Sequence, residues 1–247
     1  MTHQRKIFIA SLSLAFIGSA STQAQETSYC SASFASRQPT STFALRTVKD
    51  DVKRLHFIDG INKPGCPSLD ESCQLPAFVV GGDKLLVTSV SDKRIACVHY
   101  FSKAGKLSSG FVDLGSLGLP SFPEDKLNSR AGYGAWSNGY TGLIEIKPGS
   151  DDYVVISGDI NRGPPSYNSG TLNGPAFLSP NGNDRTAGYV DDHYNGDKAP
   201  TEKPDAGAAM DTCRARLRLM GDFLIVDDND RCGGNGVMFT GLYKKKP

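Results

Sequence analysis

Short runs of alternating apolar and polar residues, separated by turn residues, make up most of the chain after position 25. Glycine and proline recur every few residues, and no segment keeps the apolar repeat of an amphipathic helix. The pattern therefore predicts β-strands joined by turns. In the first half, the predicted strands are 77–80, 84–90, 94–101 and 107–113. Strands of this length with tight turns are typical of a small barrel.

The second half shows the same alternation less regularly. Its predicted strands are 142–146, 152–157, 176–178, 213–219, 223–226 and 237–243. Residues 161–211 are poor in apolar side chains and rich in Gly, Pro, Asn and Asp, so we expect long loops there. We expect an all-β fold, with a small barrel over 25–118, a linker over 119–130 and an antiparallel β-module over 131–247.

The N-terminus has the parts of a secretory signal peptide. Arg5 and Lys6 precede an apolar run over 7–18, which is shorter than the roughly 20 residues that a membrane span needs. Small residues follow, with Thr22-Gln23-Ala24 as the preferred cleavage site and 18–20 as a second candidate. We predict a signal peptide over 1–24 and an exported mature protein, periplasmic or secreted. The alternative is a short uncleaved anchor.

The cysteines all follow the predicted signal peptide; they are Cys30, Cys66, Cys73, Cys97, Cys213 and Cys232. An even number of cysteines in an exported chain predicts disulfides. A zinc site is the competing interpretation, but the sequence has no C-x-x-C pair. Cys213 begins one strand and Cys232 follows its hairpin partner, which predicts a Cys213–Cys232 bond. For the others we prefer Cys73–Cys97 and Cys30–Cys66.

The charge of the mature chain is nearly balanced. Loss of Arg5 and Lys6 leaves 25 of the 27 basic side chains against 26 acidic ones. Such a chain has no overall field to attract nucleic acid or anionic lipid, so we expect no nucleic-acid partner and no membrane insertion after cleavage. The closing Lys244-Lys245-Lys246 is expected to be a solvated tail.

Two stretches resemble known sequence patterns. Residues 73–87 (C-x-x-P-x-F-V-V-G-G-D-x-L-L-V), with the C-V-x-Y of 97–100 and the G-F-V of 110–112, resemble the bacterial SH3-like pattern. Residues 224–243 (L-x-V-x-D-N-x-x-C-G-G-x-G-V-x-F-x-G-x-Y) resemble the ending of a family of exported bacterial proteins in which the two modules occur in this order. Gly236 departs from that ending, where Asn is more frequent. The resemblance implies an SH3-like first module and an exported location, and it implies no reaction.

Candidate chemistry is sparse. The sequence has no H-E-x-x-H, G-x-x-x-x-G-K-[ST] or G-x-S-x-G motif. His56 and His99 lie in strand-like runs, where we expect structural roles. His193 lies among the carboxylates of 191–197 and could bind metal or relay protons, although a surface turn is favoured there. The acidic run 227–230 could bind calcium, but a polar hairpin is favoured because the EF-hand order is not met.

Three aromatic residues are the candidate binding residues. Tyr100 and Phe111 are first choices on the SH3-like face, although either could point into the core. Trp136, the only tryptophan, would be a binding anchor if exposed, but its size favours a core position.

The leading hypothesis is a non-catalytic exported binding protein, without cofactor, for a peptide, a cell-wall fragment or a partner protein. An inhibitor or immunity protein against a cell-wall-active enzyme is its more specific form, by analogy of fold and location. The alternative is a periplasmic hydrolase that uses the loop around His193.

The two hypotheses differ in what His193→Ala does. For a binding protein, we expect the free energy of unfolding to change by no more than about 0.5 kcal/mol, as for most surface substitutions. Ligand affinity should also persist. For a hydrolase, turnover should fall by orders of magnitude. Thermal melting, followed by incubation of the protein with peptidoglycan, separates the two; digestion that His193→Ala stops would contradict the binding hypothesis.

Overall fold

A computed structural model describes residues 30–60, 62–91, 94–165, 167–179, 186–190 and 212–247. The predicted signal peptide and His193 lie outside these residues. Within the described ranges the chain is almost entirely β, with one short α-helix, α1 (Ala32–Ser36), and a few 3₁₀ turns. No helix in these ranges is long and apolar enough to cross a membrane.

The first module is a six-stranded antiparallel sheet. Its strands are β1 (Ala44–Thr47), β2 (Leu55–Ile58), β3 (Gln74–Val79), β4 (Lys84–Val90), β5 (Ile95–Phe101) and β6 (Leu107–Asp113). They lie side by side in the order β1-β4-β5-β6-β2-β3. Both faces of the central strands are covered. Leu85, Val87 and Val98 pack into the module's own core, whereas Leu86 and Phe101 face the other way.

The second module is a closed eight-stranded barrel. Its strands are β7 (Gly134–Ser137), β8 (Leu143–Ser150), β9 (Tyr153–Asn161), β10 (Ser169–Leu178), β11 (Thr186–Val190), β12 (Arg214–Met220), β13 (Phe223–Asp228) and β14 (Gly241–Lys245). β14 pairs with β7, and β10 and β11 complete the ring. Trp136, Ile144, Leu217 and Phe239 are among the side chains that fill the interior.

The all-β fold in two modules is confirmed. The sequence pattern predicts a barrel in the first module, but the barrel that closes is in the second. The first module is a sheet. The pattern predicts only the last three residues of β10, which is ten residues long and begins in the segment expected to form loops; β7 and β11 match no predicted strand. The buried positions of β10 include Gly170 and Ala176 beside Leu172 and Leu178. Small inward residues leave little apolar signal, so the strand was not visible as an alternating run.

The segment predicted as a linker contacts both modules. Ser121 bridges to Leu45 of β1 through two backbone hydrogen bonds of 3.0 and 2.8 Å. Leu127 is fully buried in the barrel core. Packing of the barrel therefore begins inside this segment.

The three disulfides correct part of the predicted pairing. Cys213–Cys232 is confirmed, with Cα atoms 4.5 Å apart. Cys73–Cys97 and Cys30–Cys66 are wrong, because the bonds are Cys30–Cys97 and Cys66–Cys73. The loop before β3 folds back, so that Cys66 reaches Cys73 only 7 positions later. The N-terminal segment, residues 30–43, instead brings Cys30 to Cys97 on β5.

A shared apolar cluster joins the two modules. Phe43, Leu86 and Phe101 of the first module pack with side chains on the outer face of the barrel, namely Met220, Phe223, Ile225 and Leu242. The rings of Phe101 and Phe223 are 5.7 Å apart. α1 lies against β13 and β14. The modules thus bury apolar surface against each other, and this burial stabilises their relative position.

Arg218 of β12 links the N-terminal segment to the barrel by hydrogen bonds. It is only 4% exposed and donates hydrogen bonds to the Ser36 and Gln38 carbonyls, the latter at 2.6 Å. Burial, with a smaller contribution from Arg216, lowers its pKa to about 9, so it stays charged at neutral pH. Arg214 and Arg216, at alternate positions of the same strand, are half-buried.

Leu242→Ala should destabilise both modules together. Leu242 is fully buried in the shared cluster, so its truncation should lower the free energy of unfolding by about 2–5 kcal/mol. Leu119→Ala is the matched control; its side chain is 90% exposed, and we expect a change within about 0.5 kcal/mol. Denaturant unfolding measures both. Equal effects of the two variants would show that the cluster does not stabilise the fold.

Candidate functional site

Two of the three predicted binding aromatics are core side chains. Trp136 is fully buried, and its Nε1–H donates a hydrogen bond of 2.9 Å to the Gly132 carbonyl. Phe111 is 6% exposed and packs with Ile58 and Cys97. Neither ring is available to a ligand, because each completes the packing of its own module. Trp136 thus has the core position that its size favours rather than the alternative role of a binding anchor, and the choice of Phe111 as a binding residue is corrected.

Tyr100 lies at the surface, beside a cavity. It is half-buried, and its hydroxyl donates a 3.1 Å hydrogen bond to Asp83 Oδ1. Asp83 Oδ2 accepts from the Val80 amide at 2.9 Å, which fixes the β3–β4 turn. Burial, together with the Asp83 charge, raises the pKa of Tyr100. The phenol therefore stays protonated and continues to donate to Asp83.

The cavity beside Tyr100 lies between the modules and has a volume of about 260 Å³. Its walls include Asp83, Lys84, Tyr100 and Lys103 from the sheet and Asp222, Phe223 and Lys244 from the barrel. A second cavity of about 330 Å³ shares Lys103 and Lys244 with the first, and Gly139, Tyr140 and Lys246 also line it. We call the two cavities together the inter-module groove.

Two loops meet at the floor of the second cavity. Gly105 and Gly139 both have positive φ, at 80° and 78°. A Cβ on Gly139 would lie 2.4 Å from the Gly105 carbonyl, so no larger residue fits at this contact. Lys244 Nζ donates to the Ser102 carbonyl at 3.3 Å. The first module's 102–106 turn and the barrel are thus held together beside the groove.

Positive charge is concentrated at the second cavity. None of the described residues that line it is Asp or Glu, whereas Lys103 and Lys246 are exposed and Lys244 is half-buried. Tyr140 is 70% exposed, and the Asn138 side chain accepts a hydrogen bond from its amide. The first cavity, by contrast, also has Asp83 and Asp222 in its walls.

The closing lysines are not merely a solvated tail, as the sequence suggested. Lys244 and Lys245 belong to β14. Lys245 Nζ donates to the Arg130 and Ala131 carbonyls at 2.6 and 2.8 Å and lies 5.8 Å from the centre of the Trp136 ring. Lys245 is therefore a structural residue, and Lys246 remains exposed.

His99 has the geometry of a structural histidine. It is fully buried, with Nδ1 2.8 Å from Ser109 Oγ and Nε2 3.2 Å from Thr88 Oγ1. The contact with Ser109 resembles a nucleophile–base pair, but burial lowers the pKa of His99 to about 3. A base with so low a proton affinity is poorly suited to activate a hydroxyl at neutral pH. His56 bonds through Nδ1 to the Leu75 carbonyl at 2.8 Å.

The acidic run 227–230 forms a hydrogen-bonded loop. Asp227 pairs with Arg216 at 3.1 Å, and Asp230 pairs with Arg37 at 2.6 Å. Asp228 accepts from the Phe239 and Asp230 amides and from the Thr240 hydroxyl. Asn229 Oδ1 accepts from the Arg214 amide. These side chains thus bond to backbone amides and to arginine side chains of the same protein, as the polar-hairpin interpretation predicts.

Comparison with models of protein families, with curated proteins and with solved structures found no match to this chain. The resemblance of the sequence to an SH3-like module and to a family of exported proteins therefore stays a prediction. Of the predicted site residues that the structure describes, Tyr100 alone lines the groove. The sequence does not single out Lys103 and Tyr140 as binding residues, because each lies in a short turn or bend and side chains of this kind are common in surface loops.

The burial of His99 makes stability depend on pH. Its pKa is about 3 in the folded protein, against an ordinary value of 6.5. Below about 6.5 the unfolded chain takes up a proton that the folded protein does not. Stability should therefore fall with decreasing pH, by up to about 1.4 kcal/mol per unit. His99→Gln should lose this component between pH 6.5 and 5. Identical slopes for both proteins in chemical denaturation would contradict the assignment.

Proposed function

We propose that this chain is an exported, non-catalytic binding protein, and that its ligand is a peptide bearing carboxylates that lies in the inter-module groove. The observation that carries the proposal is the clustering of Lys103, Lys244 and Lys246 beside Tyr140, at a point where both modules contribute walls. Three disulfides are compatible with an oxidising compartment outside the cytoplasm.

The charge distribution of the groove supports an anionic ligand. Lys103 and Lys246 are exposed, so their ammonium groups can approach a carboxylate at little desolvation cost. Lys244 already donates one hydrogen bond, to the Ser102 carbonyl, and an ammonium has three hydrogens. Each such contact is weak alone, but lysines that converge on one concave surface raise the local concentration of an anionic ligand.

The aromatic side chains supply the apolar part of the surface. Tyr140 offers an exposed ring at one end of the groove, and Tyr100 offers a half-buried ring at the other. Aromatic residues of this kind often dominate the energy of protein and peptide binding, because they bury a large area with little conformational freedom to lose. The hydrolase alternative rests on His193, which the structure does not describe.

Direct binding measurements test the groove. The probes are soluble muropeptides, which carry carboxylates, a fluorescent linear hexaglutamate peptide, and a hexaglutamine peptide as the neutral counterpart. We expect the acidic probes to bind better than the neutral one, and more weakly as salt is added. Tyr140→Ala and the double variant Lys103→Ser, Lys246→Ser should each weaken binding by about fivefold or more. The two acidic probes distinguish a cell-wall source from a protein source.

Lys147→Ser is the matched control. Lys147 is an exposed lysine on β8 that pairs with Glu145 at 3.0 Å and does not line the groove. Its loss should leave the affinity unchanged. Mass spectrometry of the probes after incubation should show no cleavage. Equal binding of the neutral peptide, an equal effect of Lys147→Ser, or cleavage of a probe would each overturn the proposal.

A further inference from the structure

A disulfide, an imidazole and a hydroxyl meet on the buried face of the first module's sheet that also carries Phe101. Cys97 and His99 are two positions apart on β5, so their side chains lie on the same face. His99 Nε2 is 3.8 Å from Cys97 Sγ, and Thr88 Oγ1 lies 3.4 Å from that sulfur. Cys30 Sγ, bonded to Cys97, completes a set of three potential ligand atoms within 4.8 Å of one another.

We propose that Cys30, Cys97 and His99 bind one zinc ion when the Cys30–Cys97 disulfide is reduced. A dithiol reductant supplies two electrons and two protons, the S–S bond breaks, two thiols form, and the reductant becomes a disulfide. Zinc then displaces the two thiol protons, forming two Zn–S bonds and one Zn–N bond to His99 Nε2. The oxidised protein has no thiolate to offer and binds no zinc there.

The observed spacing suits zinc. Zinc binds sulfur at about 2.3 Å and imidazole nitrogen at about 2.0 Å, so tetrahedral ligands of these two kinds lie about 3.6 Å apart. Cys97 Sγ and His99 Nε2 are 3.8 Å apart and need almost no adjustment. Once the bond between them is broken, the two sulfurs must move apart to about 3.8 Å. Cys30 can move because it is half-exposed and precedes the first helix, whereas Cys97 is held in a central strand.

Burial selects a divalent cation. His99 is 0% exposed, Cys97 5% and Thr88 8%. A net charge at such a site is unfavourable unless it is compensated. Two thiolates, a neutral imidazole and Zn²⁺ sum to zero, whereas a monovalent ion such as Cu⁺ would leave a net negative charge. Thr88 Oγ1, 3.2 Å from Nε2, is positioned to donate a hydrogen bond to a thiolate or to give way to a water ligand.

Ser109 orients the imidazole. Its Oγ is 2.8 Å from Nδ1, so an Nδ1–H that donates to Ser109 leaves Nε2 with a lone pair, 3.2 Å from Thr88 Oγ1 and 3.8 Å from Cys97 Sγ. Partners of this kind fix the tautomer and orientation of metal-binding histidines. Among the described residues, the Cys66–Cys73 and Cys213–Cys232 bonds belong to no such group of ligand atoms. They therefore serve as internal controls.

Thiol protection tests the proposal in the mature full-length protein. The protein is reduced with a phosphine without oxygen, supplied with one equivalent of Zn²⁺ or none, alkylated, and mapped by peptide mass spectrometry. We expect zinc to slow alkylation of Cys30 and Cys97 by about tenfold or more. The other four cysteines should react equally with and without zinc. Equal protection of all six, protection of none, or a reduced chain that stays unfolded with zinc by circular dichroism would overturn the proposal.

Two variants separate ligation from general stabilisation. His99→Ala should abolish the zinc-dependent protection, and Ser109→Ala should weaken zinc binding by about tenfold. His56→Ala is the control and should leave the zinc-dependent protection unchanged, because His56 lies in β2 and bonds to the Leu75 carbonyl. Co²⁺ in place of zinc should give a thiolate charge-transfer absorption with the reduced protein and none with the oxidised protein. Unchanged protection in His99→Ala would contradict the assignment of His99 as a ligand.

Discussion

The packing of the sheet against the outer face of the barrel determines the geometry of the inter-module groove. Phe101 lies in the shared cluster immediately before the turn that carries Lys103. Leu242 lies in the same cluster, and two positions later Lys244 reaches the Ser102 carbonyl. In both modules an apolar side chain of the shared cluster thus lies two positions before a lysine of the groove. A shift in this packing would move the groove walls with it.

The N-terminal segment contacts both modules and holds them together. The Cys30–Cys97 bond attaches the segment to β5 of the sheet. Arg218 of the barrel donates to the Ser36 and Gln38 carbonyls, and Arg37 pairs with Asp230. The Arg218 bonds are shielded from water, where charged hydrogen bonds are strong and where loss of one partner leaves a buried charge unpaired. Release of Cys30 would therefore affect a contact on which both modules depend.

Two buried polar side chains, Asp228 in the barrel and His99 in the sheet, are satisfied by short-range hydrogen-bond networks. Asp228 organises the β13–β14 connection by accepting from the Phe239 amide and the Thr240 hydroxyl. His99 lies between Thr88 and Ser109 in the sheet. In each case a polar residue in an apolar setting has hydrogen-bond partners close by, as burial requires. His99 is poorly suited to act as a general base at neutral pH, because its pKa is about 3. Among the described residues its Nδ1 contacts the Ser109 hydroxyl and no carboxylate.

The sequence by itself determined the local structure wherever apolar and polar residues alternate clearly. The strands from 84 to 113 lie where the pattern predicts them, and Cys213 pairs with Cys232 because a single hairpin brings them together.

The tertiary structure decided the features that depend on contacts between segments far apart in the sequence. Cys30 bonds to Cys97, 67 positions later, and the barrel closes through β10, whose small inward residues give little hydrophobic signal. Tyr100 could be suspected as a surface residue, but its cavity, and the approach of Lys103 to Lys244, arise where two modules pack. Contacts between residues far apart in sequence leave no periodicity to detect, because each partner obeys only the alternation of its own strand.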